Sequence, residues 1–465
     1  MNLRVFVPAL VLALALAAFA QQPANPDQQL AHDVLKQLVE INTTTDEIGT
    51  ERAARAVVDR LLAAGFSADD VQILGPDPKH SNVMIRLRGR SAEKPILLIA
   101  HLDVVPARRE DWSFDPFAFT VQEGYYYGRG VKDDKSGDAT IITCMLRWKR
   151  EGLVPARDII ALLTSDEETT GQRGIQWMIQ NVPGVKQADY ALNADGGGGD
   201  LREGKRAAYD VQASEKIYAD YEFTLRDKGG HSSLPRNADN PIYRMAAALD
   251  RLAAYQFKLN LNEVTRTWFH RTHSVISGPV ADDMEALATD KASHAALERL
   301  AAVPQYNALM RTTCVATMIS GGHATNALPQ MARVNVNCRI LPNDDPTEVQ
   351  KTLERIFQPT GAELRVASAP KPSPASPLRP DVMRVIDQLV GERFPGAIVL
   401  PEMSTGATDG LFLRNAGVPV YGTLAIFQDP GDSRSHGRDE RLPIAGYFDG
   451  VDFWHELVPK LAASR

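Results

Sequence analysis

The chain has 465 residues, of which 44% are hydrophobic and 23% are charged, and its formal net charge at pH 7 is −7. The length exceeds that of one ordinary hydrophobic core, so we expect two domains, and the composition is that of a soluble globular protein. A net negative charge without a block of basic residues gives no reason to expect a nucleic-acid partner or a membrane-surface function.

The first 20 residues have the pattern of a secretory signal peptide. Arg4 precedes an apolar run over residues 5–17, and residues 18–20 form an Ala-x-Ala cleavage signal. The run is shorter than a membrane span, which needs roughly 20 residues, and no cysteine follows it to carry a lipid. We therefore expect an exported protein, periplasmic or secreted, that begins near Gln21 and has no membrane anchor after cleavage.

The chain contains three cysteines, at positions 144, 314 and 338. Exported proteins can form disulfides, so Cys314 could pair with Cys338. All three residues lie in apolar sequence contexts, which favours buried free thiols over a disulfide.

Strands and helices alternate in the first part of the chain. Apolar periodicity predicts helices over residues 31–41, 51–64, 139–149 and 174–179, the second capped by Thr50 and stopped by Gly65, and it predicts strands over residues 83–87, 96–100, 158–163 and 190–193. Such alternation predicts an α/β domain with a largely parallel sheet.

The pattern changes near residue 213, where a smaller domain is predicted. Its predicted strands are 221–225, 334–340 and 364–367, and its helices are 241–252 and 346–357. These elements form a small α+β layer of the split βαβ type, which a long insertion, residues 259–309, interrupts. A Pro- and Ser-rich linker, residues 368–380, then leads to predicted elements at 381–393, 418–423 and 447–458, the last ended by Pro459.

The strand over residues 96–100 leads into His101 and Asp103. In open α/β sheets ligands collect beyond the carboxyl ends of the strands, and period-two alternation points both side chains to one face. A histidine beside a carboxylate that orients it is typical of a metal site. Taken alone, however, the pair is better explained by a structural role.

Four further segments carry acids or a histidine: 128–135, 164–168, 193–199 and 435–440. Each has an ordinary explanation alone, respectively a solvated turn, helix N-terminal acids, a flexible glycine turn and an exposed histidine. Together they supply a set of two histidines and three carboxylates: His101, Asp133, Glu168, Asp195 and His436. With one bridging carboxylate, this set suits two Zn²⁺ with open positions, and Glu167 remains beside it as a base.

The series His-x-Asp, Gly-x-Gly-x-x-Asp-x-Lys, Asp-Glu-Glu, Asp, His resembles the co-catalytic di-zinc peptidase family of aminoacylase, succinyl-diaminopimelate desuccinylase, glutamate carboxypeptidase and carboxypeptidase S. The resemblance covers roughly residues 30–460, and the Trp-Ser-Phe-Asp-Pro-Phe motif at 112–117 looks most like the carboxypeptidase S branch. It implies a catalytic domain formed by residues 21–212 and 371–465, and an inserted lid and dimerisation domain over residues 213–370.

The resemblance also implies a role for each metal ligand. One zinc ion would be bound by His101 and Asp195, the other by Glu168 and His436, and Asp133 would bridge them. The peptide after Asp133 is often cis in the family. Relatives often have Gly directly after the Lys of this motif, where this chain has Ser-Gly, and we expect only a small local change there.

Further residues match the family's catalytic and substrate-binding positions. Asp103 would orient His101, and Glu167 would be the general base and acid. In the inserted domain, His231 would stabilise the oxyanion, in several members across a dimer interface. Asn326 would contact the substrate and Arg339 would hold its carboxylate through two parallel hydrogen bonds.

The function implied is zinc-dependent hydrolysis of the amide bond adjacent to a C-terminal amino acid with a free carboxylate, by a metal-bound water that Glu167 activates. The substrates would be small peptides or N-acyl amino acids, and a homodimer through the lid domain is possible. Co²⁺ or Mn²⁺ could occupy the same ligands. The alternatives are a di-zinc aminopeptidase, which would not need Arg339 or the lid, and a non-catalytic binding protein on the same scaffold.

Overall fold

The structure is a computed structural model and describes residues 23–45, 47–236, 239–424 and 426–463. The predicted signal peptide, residues 1–20, lies outside the described residues. Within them, no helix combines the length and hydropathy that crossing a bilayer would require.

The α-helices are, in chain order, α1 (Pro26–Val39), α2 (Glu51–Ala63), α3 (Lys135–Glu151), α4 (Ile175–Asn181), α5 (Pro241–Ala254), α6 (Glu263–Thr272), α7 (Pro279–Ala288), α8 (His294–Ala301), α9 (Pro304–Met310), α10 (Pro346–Phe357), α11 (Pro380–Arg393), α12 (Gly410–Asn415) and α13 (Ile444–Leu461). The strands are β1 (Val71–Leu74), β2 (Asn82–Leu87), β3 (Ile96–His101), β4 (Thr120–Gln122), β5 (Tyr125–Tyr127), β6 (Ile159–Thr164), β7 (Tyr190–Asn193), β8 (Gly198–Arg202), β9 (Lys205–Glu215), β10 (Ile217–Arg226), β11 (Gly230–His231), β12 (Thr313–Gly321), β13 (Ala327–Leu328), β14 (Met331–Ile340), β15 (Glu363–Ser368), β16 (Ile398–Ser404), β17 (Val420–Gly422), β18 (Phe427–Gln428) and β19 (Arg441–Pro443).

A ten-stranded sheet forms the centre of the larger unit, in the order β1-β2-β6-β3-β7-β17-β9-β8-β18, with β16 paired to β9. Its middle strands β6, β3, β7 and β17 are all parallel to one another. Strands β3 and β6 are buried along their whole length, as expected for parallel strands covered by helices on both faces. The predicted α/β class and the largely parallel sheet are confirmed.

The smaller unit is a four-stranded antiparallel sheet in the order β12-β14-β10-β15. Helices α5 and α10 cover one face of it, and their apolar residues share a second hydrophobic cluster with the strands. Alternate residues of β14 are buried, which is the period-two pattern of a sheet covered on one face. This is the predicted α+β lid.

The insertion at residues 259–309 folds into helices α6 to α9. Its buried residues, including Trp268, Phe269 and Met284, belong to the hydrophobic cluster of the large sheet and not to that of the smaller unit. The insertion therefore packs on the larger unit, although it lies within residues 213–370 of the chain. The predicted domain limits stay a prediction.

Three local predictions need correction. Cys314 and Cys338 form a disulfide, because they face each other in the β12–β14 pairing with Cα atoms 4.1 Å apart; Cys144 is the buried free thiol. Thr50 precedes α2, but its hydroxyl donates to the carbonyl of Ser81 (2.7 Å) instead of capping the helix.

Pro459 does not end α13, which continues to Leu461. Proline lacks the N–H that would bond to the carbonyl four residues earlier, at His455. The indole N–H of Trp148 donates to that carbonyl instead, at 3.1 Å. The carbonyl of His455 therefore keeps a hydrogen-bond donor, and the helix continues beyond Pro459.

Candidate metal centre and active site

The predicted site residues collect at the carboxyl edge of three neighbouring parallel strands. Strand β3 ends at His101, β6 is followed by Glu167 and Glu168, and β7 is followed by Asp195. Because parallel strands end at the same edge, residues distant in sequence become neighbours here. The turn before α3 adds Asp133, whose peptide bond to Asp134 is cis, as the resemblance implies.

Asp133 lies at the centre of the cluster. One of its oxygens, Oδ1, is 3.1 Å from Nε2 of His101, and the other, Oδ2, is 3.2 Å from Nε2 of His436. Asp195 approaches the first histidine at 3.9 Å, and Glu168 approaches the second at 3.0 Å. A carboxylate that directs one oxygen to each histidine has the geometry of a bridging ligand.

The cluster therefore contains two ligand groups that share one residue. The groups are His101, Asp133 and Asp195, and Asp133, Glu168 and His436, and the ligand atoms of each lie within 4.8 Å of one another. A third such group, His101 with Glu167 and Glu168, overlaps the first two. Imidazole nitrogens and carboxylate oxygens are the donors that zinc and related divalent ions prefer. The residues fit a dinuclear metal centre.

The orientation of His101 differs from the prediction. Its Nδ1 donates to the backbone carbonyl of Asp103 at 2.9 Å, whereas the Asp103 carboxylate is 3.8 Å away. Because a carbonyl can only accept, Nδ1 carries a proton, and Nε2 is the ring nitrogen that faces the cluster. The peptide backbone fixes the tautomer that a metal ligand needs.

The buried Asp103 carboxylate has a different task. It accepts hydrogen bonds from the backbone N–H groups of Glu167 and Glu168, each at 3.2 Å, and from the hydroxyl of Thr45 at 2.7 Å. Asp103 thereby fixes the loop that presents both acids to the cluster. Asp103 therefore influences the site indirectly, by holding the backbone of Glu167 and Glu168.

Charge crowding shifts the pKa values of the cluster. Burial raises the pKa of Glu167 well above its usual range, and the negative charges of Asp195, Asp409 and Glu168 add to the rise. Burial likewise raises the pKa of Asp195.

The pKa values of the histidines are raised as well, which for a histidine favours the positively charged form. Hydrogen bonds with Asp133 and Glu168 raise the pKa of His436 to about 10. Burial lowers the pKa of His101, but its hydrogen bond with Asp133 and the neighbouring carboxylates raise it well above the usual value. So dense a group of carboxylates is stable only with compensating positive charge, which two divalent cations would supply.

The cluster opens into a cleft of about 900 Å³ between the two units. Arg339 of β14 lines this cleft, and Nη1 of its guanidinium donates to the carbonyl of Thr405 at 3.1 Å. The guanidinium also lies over the ring of Tyr218, 4.7 Å from the centroid. In the described part of the chain it forms no ion pair with a carboxylate, so its charge is available to an anionic ligand.

The structure does not bring His231 and Asn326 to this cleft. They are neighbours in the lid, where β11 pairs with β13 and the N–H of Ser232 donates to the carbonyl of Asn326 at 3.1 Å. Both are exposed to solvent, and neither is among the described residues that line the cleft. Their predicted roles require movement of the lid or a second copy of the chain.

Sequence reasoning missed Glu440 and Lys216. Glu440 is fully buried and accepts hydrogen bonds from the loop that carries Asp133. Lys216 lines the cleft beside Arg339, and burial together with that guanidinium lowers the pKa of Lys216 to about 7. In one sequence neither residue carries a signal, because an acid in a polar loop and a lysine between two strands look like ordinary surface residues.

The fold and this paired histidine–carboxylate centre are those of a metal-dependent hydrolase. Residues 97–460 match the family described as Peptidase family M20/M25/M40. The match covers more than half of the chain, so the protein belongs to this family. The family resemblance found in the sequence is thereby confirmed.

Curated relatives align over most of the chain. A human N-fatty-acyl-amino acid synthase/hydrolase is 29% identical over 384 residues, which cover 78% of this chain and 74% of the relative. A probable carboxypeptidase S-like protein of Dictyostelium discoideum is 26% identical, covering 78% and 71%. Human aminoacylase-1 is 27% identical, covering 79% and 80%.

Solved structures agree on the fold. A metallo-carboxypeptidase of this family from Sulfolobus solfataricus has a TM-score of 0.68 at 19% identity, over 93% of this chain and 99% of that one. Human carnosine dipeptidase 1 has a TM-score of 0.62 at 16% identity, over 94% and 97%. A Bacillus subtilis neighbour, described as a dinuclear metal-binding peptidase, has a TM-score of 0.59 at 12% identity, over 93% and 98%.

Proposed function

We propose that the protein hydrolyses the amide bond adjacent to a C-terminal amino acid whose carboxylate is free, as a carboxypeptidase or an N-acyl-amino-acid amidohydrolase. The observation that carries this proposal is that one cleft is lined by four residues of the ligand cluster, by Glu167 and by the guanidinium of Arg339, which forms no ion pair with any described carboxylate. The names of the curated relatives, which include acyl-amino acid hydrolases and a carboxypeptidase S-like protein, support the same substrate class.

We infer two Zn²⁺ as the metal, because two histidines and three carboxylates with a shared bridge suit a pair of zinc ions; Co²⁺ and Mn²⁺ accept the same donors. Bound there, the ions would polarise the amide carbonyl and lower the pKa of a water molecule. His101 and Asp195 would hold one ion, Glu168 and His436 the other, and Asp133 both.

Glu167 is proposed as the proton carrier. Its side chain is mostly buried beside the cluster, with Oε2 3.9 Å from Nε2 of His101, and Asp103 fixes its backbone. A carboxylate held there would accept the proton of the attacking water and return it to the leaving amine nitrogen. Burial and the neighbouring acids favour its protonated form, which suits the second half of that cycle.

Arg339 is proposed as the recognition group for the substrate carboxylate. A guanidinium can donate two parallel hydrogen bonds to a carboxylate, and this one is held over Tyr218 and against Thr405 and forms no ion pair within the part of the chain that the structure describes. Lys216 lies at the same wall of the cleft, and an anionic substrate bound there would favour the protonated form of its amine, whose pKa burial and Arg339 lower to about 7.

His231 is proposed to stabilise the oxyanion of the tetrahedral intermediate. The N–H of Ser233 donates to its Nδ1 at 3.2 Å, which places the ring proton on Nε2, where a donor to an oxyanion must have it. Because the residue is exposed in the lid, either lid closure or a second protomer must bring it to the cleft.

A homodimer through the lid is proposed on the same grounds. Strand β12 is an edge of the lid sheet, and Val315, Met318 and Ile319 on it are 60%, 72% and 64% exposed. An edge strand with exposed apolar side chains can extend its sheet by pairing with another copy.

Export from the cytoplasm is likewise proposed from the signal-peptide pattern of residues 1–20. The disulfide between Cys314 and Cys338 supports it, since disulfides persist mainly in oxidising compartments. Mass spectrometry of the mature N-terminus after expression with the native leader tests this: cleavage near Gln21 is expected, and an intact Met1 contradicts it.

A substrate panel tests the activity. N-acyl amino acids and dipeptides, each with a free and an amidated C-terminal carboxylate, are supplied to zinc-loaded protein and the released amine is measured. We expect cleavage of the free-carboxylate substrates alone. Equal cleavage of amidated substrates removes the carboxylate requirement, exclusive cleavage of peptides with a free N-terminus indicates an aminopeptidase, and binding without hydrolysis indicates a non-catalytic protein.

A further inference from the structure

Two loops that are about 300 residues apart in the chain carry two of the three residues of the second ligand group. Residues 128–134 carry Asp133, and residues 434–440 carry His436. The first ligand group shares Asp133, but its other two residues lie at strand ends, because His101 ends strand β3 and Asp195 is the second residue after strand β7. The sheet fixes those two residues, and Glu168 lies four residues after strand β6, whereas loops must position His436 and the shared Asp133.

Glu440 joins the two loops through a fully buried carboxylate. Its Oε1 accepts hydrogen bonds from the backbone N–H groups of Lys132 at 2.9 Å and Asp133 at 3.0 Å. Its Oε2 accepts from the N–H of Gly130 at 2.9 Å and from Nη1 of Arg129 at 2.7 Å. One side chain from the His436 loop thus holds the backbone of the bridging aspartate.

Arg129 makes the reciprocal connection. Its Nη2 donates to the carbonyl of Gly437, the residue after His436, at 2.9 Å. The guanidinium is 2% exposed and lies over the indole of Trp112, 5.1 Å from the ring centroid. Each loop therefore sends one charged side chain to the backbone of the other.

The His436 loop needs such support because its backbone is strained. His436 and Asp439 have φ values of 62° and 51°, in the left-handed region that residues other than glycine rarely adopt. Such conformations persist only where several surrounding contacts hold the backbone in place. One contact comes from Ser113, whose N–H and hydroxyl both donate to the Asp439 carboxylate at 2.9 Å.

We propose that Glu440 and Arg129, supported by Trp112 and Ser113, are positioning residues for the second metal ion. The inference rests on the proposed two-metal function. It gives a role to Trp112 and Ser113, which have none in the proposed catalytic and substrate-binding steps. Groups that orient metal ligands typically contribute about 10-fold to 100-fold to metal affinity. Both ions share Asp133, but the effect falls mainly on the ion held by Glu168 and His436, because β3 and β7 hold His101 and Asp195, the remaining ligands of the other ion.

The test measures Zn²⁺ binding to metal-free protein by titration against a competing chelator, alongside thermal unfolding without metal. Glu440→Gln keeps the shape but cannot accept hydrogen bonds on both sides. We expect the affinity for one ion to fall by about 10-fold to 100-fold, and the affinity for the other, which shares only Asp133 with the affected loops, to fall less. Ser113→Ala, at an exposed site, removes one hydrogen bond to Asp439 and is expected to weaken the same ion about fivefold.

The matched control is Asp283→Asn in the insertion. Asp283 is a buried carboxylate paired with Arg299 through bonds of 2.7 and 2.8 Å, remote from the ligand cluster in the fold. Its replacement should lower stability and leave both zinc affinities unchanged.

Three results overturn the proposal. They are unchanged zinc binding in both Glu440→Gln and Ser113→Ala, equal weakening of both ions, and a comparable loss in Asp283→Asn, which would reflect general destabilisation. If Glu440→Gln does not fold, the Ser113→Ala result decides. A wild-type protein that binds fewer than two ions overturns the proposed function itself, and that result is visible before any variant is compared.

Discussion

Glu167→Gln is the substitution that separates proton transfer from metal binding. The amide has the shape of the carboxylate, and the backbone N–H that anchors residue 167 to Asp103 is retained. Only the capacity to accept a proton is lost. Because Glu167 lies in a crowd of acids that raises its pKa, removal of its charge relieves repulsion, so the fold of the metal-free protein should not suffer.

The expected loss in turnover follows from the value of a positioned general base. Such a group contributes about 10²-fold to 10⁴-fold, so kcat should fall by that factor, which corresponds to roughly 3–5 kcal/mol of transition-state stabilisation. KM should change little, because the substrate carboxylate is held elsewhere in the cleft. Two zinc ions should remain bound.

The assay combines steady-state hydrolysis of an N-acyl amino acid with the zinc content of the same sample. The same change one residue along, Glu168→Gln, is the control, since it removes a proposed ligand and should lose both an ion and turnover. Turnover within tenfold of the wild type would refute the assignment of the base. Loss of an ion from the Glu167→Gln variant would instead place Glu167 among the ligands, in the third group that includes His101.

Three other substitutions test separate parts of the account. Arg339→Met should raise KM for free-carboxylate substrates by about tenfold or more, as expected for a charge-assisted pair, and leave any residual cleavage of amidated substrates unchanged; equal effects on both contradict the carboxylate role. Asp138 is fully buried with no hydrogen-bond partner for either carboxylate oxygen in the described structure, and burial raises its pKa from 3.8 to about 8. Between those pH values the folded protein binds more protons than the unfolded chain, so this group lowers the free energy of unfolding as pH rises, by up to about 1.4 kcal/mol per pH unit. In urea unfolding, the free energy of unfolding of Asp138→Asn should therefore rise relative to that of the wild type from pH 4 to pH 8. Parallel pH profiles of the two proteins would contradict this. Met318→Glu should shift the sedimentation coefficient from dimer to monomer; a wild-type monomer would refute the lid dimer.

The sequence predicted the sheet, and the meeting of the candidate ligands at one edge of it, for a physical reason. Buried parallel strands such as β3 and β6 are uninterrupted apolar runs, and the residues that follow them must meet at one edge. A ligand that directly follows such a run, as His101 does, is placed by the fold class alone.

Features that depend on tertiary contacts were not predictable in this way. The hydrogen bond of Asp103 to the Glu167 loop crosses between strands, and the four bonds of Glu440 join segments from opposite ends of the chain. Neither leaves a periodic signal. The disulfide was missed because β12, the strand that carries Cys314, was not predicted, so its register with β14 was unknown.

The lid residues illustrate a further limit. His231 and Asn326 are neighbours in the structure, as expected if both act on the same bound substrate. Sequence motifs, however, do not specify the distance between the lid and the candidate metal centre. The position of the insertion in the chain similarly suggests that it belongs to the lid. In the structure Trp268 and Phe269 belong to the hydrophobic cluster of the large sheet, so the insertion packs on the larger unit.

The central claim is that Asp133 bridges two metal ions in this cleft. A crystal structure of zinc-loaded protein, with anomalous diffraction recorded at the zinc edge, tests it most directly. We predict two peaks, one on each side of the Asp133 carboxylate, the first beside His101 and Asp195 and the second beside Glu168 and His436. A single peak, or a peak coordinated by Glu167, would contradict the account.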